Sequence, residues 1–321
     1  MLLTFLEAKK KIEDGLLLHI SGTEKLLRQL PKGNWIGGST EYFMSNEGGK
    51  ISGEHLFVTQ FYNTNFKVKS YDKTDIARVA EDTFDHGFSI LIMPYESLVH
   101  ATYAEHAASY KDMFLKNIVG WISGMNLEAT NQTPIVVNGI TGEVFSDKAV
   151  SLSLEFPEDK VVSVNIINIF DEDENLSVIK FENCGYQAKT CWIEGKEKLL
   201  ADYIKETGFN IQNPIIGDYS GAKINTAIRS IEEDGQVHFA APIFDNIDYR
   251  LSKHVADYPK TFTERFKDID ETKIVFSVNC LFNFLYGQME GKKTGTFFGP
   301  VVFGEIAYQL VNQTLVYVKV D

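Results

Sequence analysis

The sequence predicts an α/β protein of two lobes of mixed β-sheet with helices on the outer faces. Three observations predict it. A strand, helix, strand, Gly-containing turn, strand order recurs along the chain; the strands that close each unit alternate apolar and polar residues; and 321 residues, 44% of them hydrophobic, suffice for two ordinary domains.

The clearest unit lies at the end. "KIVFSV" (273–278) has the β-branched content of a strand, "NCLFNFLYGQME" (279–290) has helical spacing, and "FFGPVVFGE" and "QTLVYVKV" again read as strands. Residues 88–156 repeat the order as "FSILIMP", "SLVHATYAEHAASYKDMFL", "TPIVVNGITGEVF" and "AVSLSLEF", with an insertion near 118–132. The first sixty residues repeat it as "LLLHIS", "GTEKLLRQL", "GNWIGGSTEYF" and "EHLFVTQFY". A weaker fourth unit is expected in "TCWIE", "GKEKLLADYIKETG", "NPIIGDYSGAKINTAIRSI" and "QVHFAAPIF". The acidic run "DEDENL" (171–176) reads as a turn, which places the hinge between lobes near 185–195. Each unit carries a small acidic turn: Gly304 and Glu305, Gly142 and Glu143, and the stretch from Gly37 to Glu41. The spacing predicts equivalent places for all of them, at a strand edge or bulge.

Charge narrows the function. With 31 Lys and Arg against 44 Asp and Glu, the net charge is −13, and such a surface repels phosphate backbones and anionic headgroups. Nucleic acid and membrane are therefore excluded as partners. No apolar run approaches the ~20 residues of a membrane span, and the opening residues place positive charge after a short apolar patch, the reverse of a signal peptide. A cytoplasmic protein is expected. Three cysteines, Cys184, Cys191 and Cys280, form neither a disulfide framework nor a zinc pattern. Phosphate-loop and dinucleotide fingerprints are absent from the sequence, so no cofactor and no metal are expected.

The stretches "VNGITGEVFSDKAVSLSLEFPEDK", "AIRSIEEDGQVHFAAPI" and above all "GPVVFGEIAYQLVNQTLVYV" resemble the FIST sensory domain family of F-box and intracellular signal transduction proteins. The resemblance spans most of the chain, an N-terminal part at 1–192 and a C-terminal part at 193–321. It implies a cytoplasmic sensory module that binds a small molecule such as an amino acid and acts through a separate signalling protein.

An amino-acid-like ligand needs an acceptor for its ammonium and a donor for its carboxylate. Gly-rich turns offer unpaired N–H groups, and a neighbouring Glu accepts a cation. On that basis Gly304 and Glu305 lead the candidate contacts, followed by Gly142 and Glu143, by Ser39 and Thr40, and by Arg229 as carboxylate partner. The bland alternative is that each Glu only satisfies nearby backbone donors or a Lys, and that Arg229 extends to solvent. Two rival functions stay open. One is a cysteine-dependent hydrolase using Cys280, which stands at a strand-to-helix junction where a thiol pKa can fall; the other is a protein-interaction scaffold.

Overall fold

The three clear units fold alike. In the computed structural model, which describes residues 1–128, 132–219, 221–265, 269 and 271–321, each begins with a largely buried strand: Leu17–Gly22, Gly87–Pro94 or Ile274–Cys280. A helix follows (Glu24–Leu27, Leu98–His106 or Leu281–Tyr286) and returns the chain to a strand parallel to the first: Trp35–Ser39, Ile118–Ser123 or Gly299–Val302. The closing strand, Leu56–Phe61, Ala149–Glu155 or Leu315–Val320, lies antiparallel to the first.

Between the second and closing strands each unit projects a hairpin into a neighbouring sheet. Tyr42–Ser45 with Gly48–Ile51 joins the third unit's sheet beside Gly299–Val302. Val136–Asn138 with Glu143–Phe145 joins the first unit's sheet beside Trp35–Ser39. Glu305–Ala307 with Gln309–Val311 joins the second unit's sheet beside Ile118–Ser123. One gives to three, three to two and two to one, so the exchange closes into a ring of three six-stranded sheets with the same strand order.

Strand alternation sorts the core into layers. Phe88, Ile90 and Ile92 point into a central cluster fed by all three sheets, whereas the alternating Leu91 and Met93 point outward under the helix Leu98–His106. The other two sheets are covered likewise, one by the helices Phe5–Glu13 and Glu24–Leu27, the other by Tyr258–Glu264 and Leu281–Tyr286. Helices do lie on the outer faces. His19 stands in the ring's interior, where its Nε2 accepts from Trp121 Nε1 at 2.9 Å and its ring meets Phe276 edge-on. Burial pushes its pKa down to about 3, so it packs as a neutral ring.

The second lobe is inserted in the third unit, between Val162–Ile167 and Ile274–Cys280. It holds a six-stranded and a three-stranded sheet over its own apolar core. Among the described residues all strand pairs of this lobe are antiparallel, so the expected fourth unit, which requires a parallel pair around its helix, does not form there. The boundary expected at 192 also moves. Thr190–Ile193 pairs with Ile179–Lys180 on one side and Lys196–Leu199 on the other, so a cut at 192 would divide one sheet. Two amides tie the lobes together: Asn225 Nδ2 donates to the carbonyl of Asn312 (3.1 Å) and Gln313 Nε2 to that of Gln212 (2.8 Å). No described helix is long and apolar enough to cross a membrane.

At the crossings between sheets the backbone leaves its ladder inside the protein, and small polar side chains take up the freed groups. Ser39 Oγ donates to the carbonyl of Gly124 (2.8 Å) and accepts from the N–H of Ile135 (2.9 Å), stitching the first unit to the second. Thr40 Oγ1 donates to the carbonyl of Val301 (2.7 Å), stitching the first to the third. Removing the hydroxyl in Ser39→Ala orphans both of its partners. The expected loss is about 1–3 kcal/mol of unfolding free energy, read from urea denaturation with an unchanged slope.

Candidate functional site

A cleft of about 400 Å3 opens where the second unit, the third unit and the second lobe meet. Its position follows from the fold. Tyr95 and Glu96 follow the strand Gly87–Pro94, Cys280 ends Ile274–Cys280, and Val302 ends Gly299–Val302 with Phe303 just beyond it, so the cleft lies at the carboxyl ends of parallel strands, where α/β proteins place ligands. The interior is apolar, with Leu281, Leu285, Phe303 and Met125. Phe303 packs edge-on against Tyr95 at 5.3 Å.

The mouth is charged. Arg229, on the second-lobe strand Ile228–Ile231, directs Nη1 to Tyr95 Oη and to Glu96 Oε1, both at 3.2 Å. Its side chain keeps 46% of its accessible surface, so the guanidinium remains open to a ligand. Glu96 is held in the left-handed region (φ 57°), costly for a residue with a side chain. Its N–H donates to Nδ1 of the buried His100 (3.3 Å), which also faces Tyr186 Oη at 3.2 Å. Burial lowers the His100 pKa to about 3, so the ring is neutral, and the Glu96 N–H aimed at Nδ1 makes that nitrogen the acceptor that supports the strained turn.

The sequence-predicted residues divide sharply. Arg229 and Cys280 both line this cleft. Glu305 does not: it is wholly buried at the next crossing, where Oε2 accepts from the N–H (3.1 Å) and Oγ1 (2.6 Å) of Thr314 while Oε1 has no hydrogen-bond partner. Gly304 is buried beside it, its Cα against the amide of Asn312, which a Cβ would approach to 3.2 Å. Ser39 and Thr40 are buried staples. Gly142 and Glu143 are exposed at the tip of the hairpin Val136–Asn138 to Glu143–Phe145, where φ +75° at Gly142 makes the turn. The equivalence expected among the acidic turns therefore fails for this pair: Gly304 and Glu305 stand at a crossing, as do Thr40 and Glu41, whereas Gly142 and Glu143 turn a hairpin. Glu96 and Tyr95 were missed. The signal available was their place after "FSILIMP", at the carboxyl end of a predicted strand; the left-handed backbone at Glu96 leaves no mark in the sequence.

Cys280 occupies the helix N-cap position that Thr23 and Ser97 fill in the other units, but makes no capping bond. Burial, then the neighbouring Glu305, pushes its thiol well above the usual range. The group facing it is a carboxyl rather than an imidazole base, so the geometry does not supply a thiolate nucleophile. Nor does the pair make a metal centre, since no three His, Cys, Asp or Glu converge among the described residues.

Residues 3–321 match the model of a family of unknown function, DUF6976. The chain belongs to that family. No curated protein matches the chain.

Burial raises the Glu305 pKa to about 8, against the smaller downward pull of the Thr314 bonds. The folded state thus holds a proton that the unfolded chain releases above the ordinary carboxyl range. Stability from this group is fully present below the unfolded pKa and falls as pH rises toward about 8. Glu305→Gln mimics the protonated form, so the variant should match the parent at or below the ordinary carboxyl pKa of 4.5 and lose less stability as pH rises toward about 8. Melting temperatures across that range check it.

Proposed function

We propose that this protein binds an amino-acid-like ligand with an apolar side chain in the cleft between its lobes. The observation that carries the reading is the Arg229–Glu96 pair at the mouth of an apolar cavity large enough for a metabolite. A free amino acid presents a carboxylate and an ammonium on one carbon, and the open guanidinium and carboxylate at the mouth complement both. Its side chain then replaces water against Leu281, Leu285 and Phe303. The sensory role, in which the occupied module signals through a separate protein inside the cell, rests on the resemblance to the FIST family and extends the binding reading.

Calorimetry with L-leucine, 4-methylpentanoate and 3-methylbutylamine tests this directly. Binding is expected for the zwitterion and loss for the analogue lacking either charged group. Arg229→Gln should weaken L-leucine by roughly 10- to 150-fold, the equivalent of one charge-assisted hydrogen bond, with little change in melting temperature, because the side chain is half exposed. Equal affinity for all three compounds would refute the proposal.

A further inference from the structure

The three crossings differ in one respect. The first and third units pass between sheets at Thr40–Glu41 and Phe303–Gly304, whereas the second takes the longer path from Gly124 to Ile135. Met125, Asn126 and Leu127 on this path form a wall of the cleft. Leu127 is 55% exposed, so apolar burial holds it weakly.

Polar contacts from the first unit hold the wall instead. Glu41, only 8% exposed, accepts from Asn126 Nδ2 at Oε2 (2.9 Å) and from Gln132 Nε2 at Oε1 (3.0 Å). Gln132 Oε1 in turn accepts from the N–H of Asn126 (3.0 Å). Tyr42 Oη accepts from the N–H of Leu127 (3.1 Å), while the Tyr42 ring packs edge-on against Phe284 of the third unit's helix. Neither Glu41 nor Tyr42 lines the cleft. One carboxylate thus fixes two amides of the segment, beside the single backbone anchor that Tyr42 supplies at Leu127.

We infer that Glu41 is a positioning residue for the cleft: its carboxylate latches residues 125–127 across the cavity, and releasing the latch opens a path to the floor at Cys280. The inference rests on the cleft being the ligand site, but its test needs no ligand. The three thiols supply the probes, since Cys184 is exposed, Cys280 lies on the cleft floor and Cys191 is buried in the core of the second lobe.

The experiment is N-ethylmaleimide labelling of the folded full chain, followed for each cysteine by mass spectrometry. In the parent, Cys184 should react first and Cys280 slowly. Glu41→Gln keeps the shape but leaves one oxygen to serve two amides, and Asn126→Ala removes the other end of the contact. Both should accelerate Cys280 by on the order of tenfold, the loss of one charge-assisted bond, with the Cys191 rate unchanged and the melting temperature lowered by only the few degrees that the same lost bond costs on global unfolding. Should Glu41→Gln fail to fold, Asn126→Ala decides alone. An unchanged Cys280 rate, or Cys191 accelerating in parallel, would overturn the inference, because the first denies the latch and the second makes it general loosening. An added L-leucine arm, in which a bound ligand protects Cys280, tests the ligand reading alone; lack of protection there beside latch-dependent labelling would count against the ligand and not against Glu41.

Discussion

Everything in the ring depends on moving a strand from one sheet to another without leaving buried backbone unpaired. A chain that stays in its ladder satisfies its N–H and C=O groups by default; a chain that crosses loses them for one or two residues, in a place water does not reach. The first and third crossings solve this with polar side chains and glycine. At the first, Gly38 brings the backbone against Trp121, where a Cβ would come within 2.7 Å of the ring, and Ser39 and Thr40 bond across to the other two units. At the third, the carbonyl of Gly304 accepts from the N–H of Ile122 (2.8 Å), and Glu305 Oε2 accepts from both donors of Thr314. The mixture of Gly, Ser, Thr and Glu that stands out between apolar strands is the chemical form of that requirement.

This is why the sequence revealed the architecture more fully than the site. The repeated order of elements is written in hydrophobic periodicity, which survives wherever a strand keeps an inner and an outer face, as in the alternation through Phe88, Leu91 and Ile92. The same small acidic turns read equally well as ligand contacts or as staples, since both uses call for short acceptors beside glycine. Only burial separates them, and the burial of Glu305 arises from the hairpin exchange, a contact between segments far apart in the chain. Arg229 and Cys280 were legible as residue types, but their meeting in one cleft depends on where the second lobe docks. The false fourth unit has a similar cause: "GKEKLLADYIKETG" does contain a helix, Leu200–Glu206, but the strands around it pair only with antiparallel neighbours, and periodicity alone carries no information on strand direction.

Three similar units would give three similar junctions, and a symmetric ring has no reason to favour one of them as a site. Two departures break the equivalence, and both act at the junction of the second and third units. The inserted lobe enters between the edge strand and the first strand of the third unit, which brings Ile228–Ile231 over the carboxyl end of Gly87–Pro94 and delivers Arg229 to Glu96. The second unit's crossing is the lengthened one, so a wall formed by Met125, Asn126 and Leu127 stands there in place of a direct passage. At the same junction the N-cap hydroxyl that serves Thr23 and Ser97 is replaced by the thiol of Cys280, which leaves the cleft floor apolar and uncharged. An uncharged floor beneath a charged mouth is the polarity that the proposed ligand, polar at one end, would require. The repeated fold therefore supplies the cavity, and the places where repetition fails supply its chemistry.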